Sequence, residues 1–212
     1  MKNLAHSASL DSEDKDAPSK SGIKQGLHRP DVVAHDFGGS NALRGHLLNG
    51  LEYRSLVLID PVAISPQGSP LVQAAKGHEE VFAALPAYIH EAMLRAYIGA
   101  AVGNTLRDDE MQLYLEPWLG GEGQRAFWRQ IAQMDDKYSQ DVEWRYGEMR
   151  CPVTILWGEN DEWIPIADGR ELARRMSDAP FTPVPNAKHL MQEDAPEAIV
   201  ATTLRFWDSL HE

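Results

Sequence analysis

Asp36, Asp161 and His189 are the residues whose types and settings point to chemistry. Asp36 is at the centre of Ala34-His35-Asp36-Phe37-Gly38-Gly39, between a short apolar run and a helical pattern. A sharp turn from strand to helix holds its central side chain out over the end of a sheet. The residues two before and two after must be small, because backbone and helix pass close by, and Ala34 and Gly38 meet that need. The helix start adds free N–H groups and a positive dipole end, both suited to an anion. The plainer assignment is a glycine-rich turn in which Asp36 caps the helix. Asp161 lies in WGENDEWIP, on the loop after another apolar run, with Glu159 and Glu162 as competitors that fit the pattern less well. A loop aspartate is usually only a turn residue. His189, in NAKHLMQEDAPE, falls between a weak strand pattern and the last helix, where a lone histidine is more often structural. Company changes the weighing: nucleophile, acid and histidine occur in the order Asp36, Asp161, His189, each at the end of a separate strand.

The elements that must position these residues are legible as an alternating pattern. Asp31–His35 (DVVAH, after Pro30) and Ser55–Pro61 (SLVLIDP) are short apolar runs of the kind buried in a parallel sheet. Between them lies a helical pattern through Ala42, Leu43, His46, Leu47 and Leu48 that stops near Gly50. Strand, helix and strand within roughly 30 residues make a βαβ unit. Residues 66–148 lack strand-like runs. VQAAKGHEEVFAAL and PAYIHEAMLRAYIGAAV read as amphipathic helices, the second started by Pro86. LEPWLGGEGQ separates them from one or two further helices in GQRAFWRQIAQMDDKYSQDVEWRYG. Then the core pattern returns, with strands at Cys151–Gly158 and Ala179–Pro185. IADGRELARRM is a helix between them, and DAPEAIVATTLRFWDSL is a closing helix with Asp194 placed to cap it. The expected organisation is a flexible tail over 1–22, an α/β core over 23–65 and 149–212, and a helical insertion over 66–148.

Composition narrows the function classes. A chain of 212 residues with 43% hydrophobic content is long and apolar enough for one sizeable core. A net charge of −12 disfavours nucleic acid, whose phosphates need a basic face. No apolar run reaches the roughly 18 residues of a membrane span, and the first residues lack a signal-peptide stretch. These features point to a soluble, cytoplasmic protein. The single cysteine, Cys151, rules out an intrachain disulfide and a cysteine-rich zinc site.

The segments VVAHDFGGSNALRGHLLNGLEYRSLVLIDPVAISPQGSP, CPVTILWGENDEWIP and KHLMQEDAPEAI together resemble the α/β-hydrolase superfamily, from about Leu27 to the C-terminus. An aspartate at the elbow is similar to the epoxide hydrolase and haloalkane dehalogenase branch. The resemblance implies a partial α/β-hydrolase fold of about four parallel strands flanked by helices, with residues 66–148 as a helical cap between the second and third strands. It implies a hydrolase in which Asp36 attacks an electrophilic carbon of a small organic molecule and forms an alkyl ester. His189, oriented by Asp161, would then activate water against that ester. The Phe37 N–H would hold the oxyanion, and no metal or organic cofactor is called for. The branch commonly has tryptophan after the nucleophile. Phe37 lacks its N–H donor, so an epoxide is favoured over an alkyl halide. Epoxide hydrolases use cap tyrosines to protonate the opening ring, for which Tyr88, Tyr97, Tyr114 and Tyr138 are the candidates.

The resemblance also implies four strands and a His-Gly oxyanion loop ahead of the elbow, and only 35 residues precede Asp36. The expectation is therefore a truncated form of the fold, impaired in activity, with Asp31–His35 as an open strand edge through which copies could associate. The competing expectations are a non-catalytic protein that binds a ligand or partner through the same fold, and a fragment with no function of its own.

Overall fold

A computed structural model describes residues 27–211. The expected tail over 1–22 lies outside the described residues. Four strands, β1 (Asp31–His35), β2 (Ser55–Ile59), β3 (Val153–Gly158) and β4 (Phe181–Val184), form one parallel sheet in sequential order. The register runs Asp31↔Ser55 to His35↔Ile59, Leu56↔Val153 to Ile59↔Leu156, and Ile155↔Phe181 to Gly158↔Val184. The connections carry helices α1 (Phe37–Leu47) and α7 (Ile166–Arg175). The short α8 (Met191–Asp194) and long α9 (Pro196–Ser209) close the chain.

Strand alternation sorts the core into two layers. Ala34, Leu56, Leu58, Val153, Ile155 and Trp157 face α1 and α7, packing on Leu43, Leu47 and Leu172. Val57, Ile59, Leu156 and Val184 face the other way, against Met191, Ala195, Ile199 and Phe206. β2 and β3 are buried along their whole length, as their continuous apolar runs require. β1 is not. Among the described residues it has one strand neighbour, and Val33 is 46% exposed on the face that α9 covers further along the sheet. Pro183 sits in β4, whose outer edge has no neighbour among the described residues, a position where proline costs the ladder nothing.

Between β2 and β3 the chain is helical: α2 (Pro70–Ala83), α3 (Ala87–Ala100), α4 (Asp108–Leu115), α5 (Gly120–Ala132) and α6 (Lys137–Glu143). These helices build their own apolar cluster from Val72, Leu94, Ile98, Leu115, Phe127 and Trp128. Three details differ from expectation. α4 has no counterpart in the sequence reading, because eight residues are too few for a clear helical period. Gly120 and Gly121 open α5 instead of forming a connector. α2 is kinked at His78, whose backbone leaves the helical region.

Candidate active site

The backbone turns sharply at Asp36. Its φ of 51° and ψ of −123° lie outside the ordinary regions for a residue with a side chain. Neighbouring backbone holds it there. The Asp36 N–H donates to Ile59 O at 3.2 Å, and Asp36 O accepts from Gly39, Ser40 and Val62 N–H groups at 3.0–3.3 Å. Asp36 occupies the N-cap position of α1, yet its side chain makes no capping hydrogen bond. The plainer assignment as a cap therefore does not describe it. The close approach expected two residues after the turn falls three after. A Cβ on Gly39 would lie 2.5 Å from Pro61 Cβ, whereas one on Gly38 meets nothing within 4 Å among the described residues. Phe37 is the first helical residue, whose N–H has no acceptor inside the helix.

Asp161 follows β3 on a tight loop, and its side chain is fully buried. Its Oδ1 accepts the N–H groups of Trp163 and Ile164 at 2.8 and 3.0 Å, and its Oδ2 meets His189 Nδ1 at 2.8 Å. Glu159 and Glu162 are exposed, and Glu162 pairs with Lys188. His189 is buried, with Nε2 pointing toward Asp36 at 3.6 Å from its Oδ1, just beyond hydrogen-bond reach. The three sequence-selected residues thus meet at the C-terminal ends of β1, β3 and β4. Burial disfavours a charged His189, but Asp161 and Asp36 on its two nitrogens outweigh that and hold the imidazole up to about 10.

Three further side chains shape the site, and none of them was expected there from sequence. His35 places Nε2 2.8 Å from His189 O, so its N–H donates to the backbone of the neighbouring histidine. Burial, with His189 beside it, keeps the His35 imidazole below its ordinary range and therefore neutral. Asp60 ends β2 as Asp36 ends β1, also with positive φ, at 39°. Its Oδ1 accepts the Gly158 N–H at 2.8 Å, while its buried Oδ2 has no partner among the described residues. Burial, reinforced by the charges of Asp161 and Asp36, drives this carboxyl well above the usual range. Asp194 does not cap the closing helix: α9 starts after Ala195 with no side-chain cap. Its carboxylate instead accepts N–H groups from Gly103, Asn104 and Lys188 at 2.8–3.0 Å. Together with the Leu190 N–H donating to Ala101 O at 2.8 Å, this binds both sequence neighbours of His189 to the end of α3. The in-register strands offered a signal for Asp60, since it stands one residue beyond Ile59 as Asp36 stands beyond His35. Asp194 left no such signal, because its partners are remote in sequence.

The four tyrosines separate by position. Tyr88 is 72% exposed, and Tyr138 lies on the surface beneath Arg44 and Lys137. Tyr114 donates to Glu193 at 2.5 Å. Tyr97, on α3, is partly buried and stacks on Trp163 with ring centroids 4.1 Å apart. Burial and then the charge of Asp36 raise its hydroxyl, which places it within the field of that carboxylate and keeps it protonated. Among the described residues no group of three or more His, Cys, Asp or Glu side chains is arranged to hold a metal ion. No helix among them is long and apolar enough to cross a membrane.

A parallel sheet whose strand ends bring an aspartate on a strained turn, a histidine and a buried second aspartate together, under a helical segment, is an α/β-hydrolase arrangement. The chain belongs to the alpha/beta hydrolase family, whose sequence model matches residues 5–202. A crystal structure described as an alpha/beta hydrolase fold protein from Burkholderia ambifaria is 50% identical with a TM-score of 0.84, the match covering 87% of this chain and 68% of that one. The epoxide hydrolase CorEH shares the fold at 18% identity and a TM-score of 0.71, over 89% of this chain and 71% of its own. A 2-hydroxy-6-oxononadienedioate/2-hydroxy-6-oxononatrienedioate hydrolase of Comamonas testosteroni is 20% identical over 194 residues, 85% of this chain and 63% of its own length. The chain spans less than two thirds of the length of the curated relatives it matches.

Proposed function

We propose that this chain carries the catalytic groups of a hydrolase that works through an alkyl ester on Asp36, with an epoxide as the favoured substrate class. The observation that carries the reading is the state of Asp36. Its carboxylate is free of capping duty on a strained turn, and it faces the nitrogen of a histidine that Asp161 orients from behind. A carboxylate is ionised at neutral pH and displaces a leaving group at a saturated carbon without prior deprotonation. Asp36 attacks one ring carbon, the C–O bond of the epoxide breaks, and Tyr97 supplies the proton to the released oxygen. The ester so formed is neutral. Loss of the Asp36 charge removes one of the two groups that keep His189 protonated, so the imidazolium gives up its proton, which passes through water to the Tyr97 phenolate, and both the phenol and a neutral imidazole base are restored. His189 then takes a proton from water, the hydroxide attacks the ester carbonyl, and the Phe37 N–H stabilises the oxyanion before the diol leaves.

Phe37 has no side-chain N–H for a departing halide, which ranks alkyl halides below epoxides. The test is intact-mass analysis of His189→Gln incubated with styrene oxide. The expected result is a stable adduct that peptide mapping places on Asp36 and that Asp36→Ala does not form. An adduct on another residue, or none with any epoxide tried, overturns the reading. Saturable epoxide binding without adduct or turnover would favour a ligand-binding role for the same site.

A further inference from the structure

Four rings touch in succession through the site. His35 and His189 have centroids 4.7 Å apart. Trp163 lies 4.9 Å from His189 with the ring planes tilted by 32°. Tyr97 stacks on the indole of Trp163 at 4.1 Å and 24°. Trp163 is therefore shared between two groups with separate roles in the proposed reaction, and it also packs into the apolar cluster of the helical segment. Its placement is not left to packing alone. Asp161 accepts the backbone N–H of Trp163 on Oδ1 while holding His189 Nδ1 on Oδ2, so one carboxylate anchors both the main chain that carries the indole and the imidazole itself.

We infer that Trp163 is a positioning residue for His189: its indole bears on the imidazole, holds it against Asp161 and stabilises it as the imidazolium that forms when water is deprotonated. An indole face attracts a cation within about 6 Å of its centre, most strongly where water is excluded. The charged and titratable groups around His189 are Asp36 and His35 from β1 and its turn, Asp60 from the end of β2, Asp161 from the loop after β3, and Tyr97 from α3 through Trp163. Once Asp36 is esterified, the imidazolium has lost one carboxylate partner, and the indole gains in relative weight. In that step the O–H bond of water breaks and its proton goes to Nε2. The water oxygen bonds to the ester carbon, the ester C–O bond breaks, and the alkoxide takes the proton from Nε2. Through His189, Trp163 thus acts on the second half of the reaction. The inference rests on the covalent-ester reading for its kinetic part only.

The experiment uses the full chain with Trp163→Met, which fills a similar volume without an aromatic face, and Trp163→Phe, which restores one. Histidine-labelled protein followed by NMR should show the His189 titration midpoint lowered by about half a unit to one unit in Trp163→Met and largely restored in Trp163→Phe. Single turnovers of an epoxide followed by mass spectrometry should show decay of the Asp36 adduct slowed by about 3- to 10-fold, with its formation little affected. Uniform replacement of tryptophan by fluorinated tryptophans gives a second measurement with little change of side-chain shape, because fluorine weakens the ring's negative face. The His189 midpoint should fall stepwise with fluorine content. An unmoved titration in both series, or equal slowing of adduct formation and decay, overturns the inference. Absence of adduct in every variant and in His189→Gln would instead remove the ester mechanism, leaving the titration result to decide the role of Trp163.

Discussion

Asp36 and Asp60 follow directly on strands, where the backbone ladder fixes how their side chains stand, and Asp161 follows three residues after β3, held by the N–H groups of its own loop. Tyr97 stands on a helix of the segment between β2 and β3. Its position over the site follows that of α3, whose end is tied by the hydrogen bonds that Asp194 collects. The sheet therefore supplies groups whose placement survives small changes in packing, whereas the helical segment supplies groups whose placement does not. The proposed reaction draws on both: proton delivery to the substrate from the less constrained region, ester hydrolysis from the more constrained one.

The largest expected effect breaks the constrained side. Asp161→Asn leaves a side chain of the same shape but removes the acceptor that fixes the His189 tautomer. Turnover should fall by about 10⁴-fold through the hydrolytic step, with the Asp36 ester accumulating. Adduct levels measured by intact mass check this, and an ester that decays at the normal rate would show that Asp161 does not orient the base. The next effect is on stability. His189 is held above its ordinary value of 6.5, to about 10, in the folded chain. Its contribution is thus fully present below about pH 6.5 and lost as pH rises through about 10. Thermal unfolding of the unmodified chain should weaken across that window by a few kcal/mol at most. The slope should be shallower in His189→Gln, and equal slopes would mean that His189 does not titrate as its carboxylate neighbours imply. The smallest effect sharpens the comparison from the other side. Asp194→Ala removes one carboxylate that serves three backbone N–H groups, and should cost about 2 kcal/mol. Hydrogen exchange should report the loss mainly at Gly103, Asn104 and Lys188, with the amides of β2 and β3 keeping their protection.

The same contrast explains what the sequence disclosed. All four strands lie within the apolar runs that announced them, most plainly β2 and β3, whose burial on both faces demands such runs. Asp36, Asp161 and His189 were found because each follows one of those runs. The helical segment was legible as helical, but α4 and the kink at His78 were not, since side-chain periodicity does not carry over to short or bent helices. Choosing among four tyrosines needed three-dimensional placement, because stacking between Tyr97 and Trp163 joins residues 66 positions apart. The role of Asp194 escaped for the same reason. A residue before a proline-started helix reads locally as a cap, and nothing in the local sequence shows that its oxygens are engaged about 90 residues away.

The turn at Asp36 has a consequence for how chemistry changes on this scaffold. Every contact that holds its φ positive is made by main chain, or by Gly39 against Pro61, and none uses the carboxylate. The cost of the unusual backbone is met by the neighbouring strand and loop, whatever side chain stands on the turn. Residue 36 is in that sense an exchangeable tool in a fixed holder. A serine there would inherit the same exposure, the same histidine and the same helix start, and would differ only in the bond it is able to make.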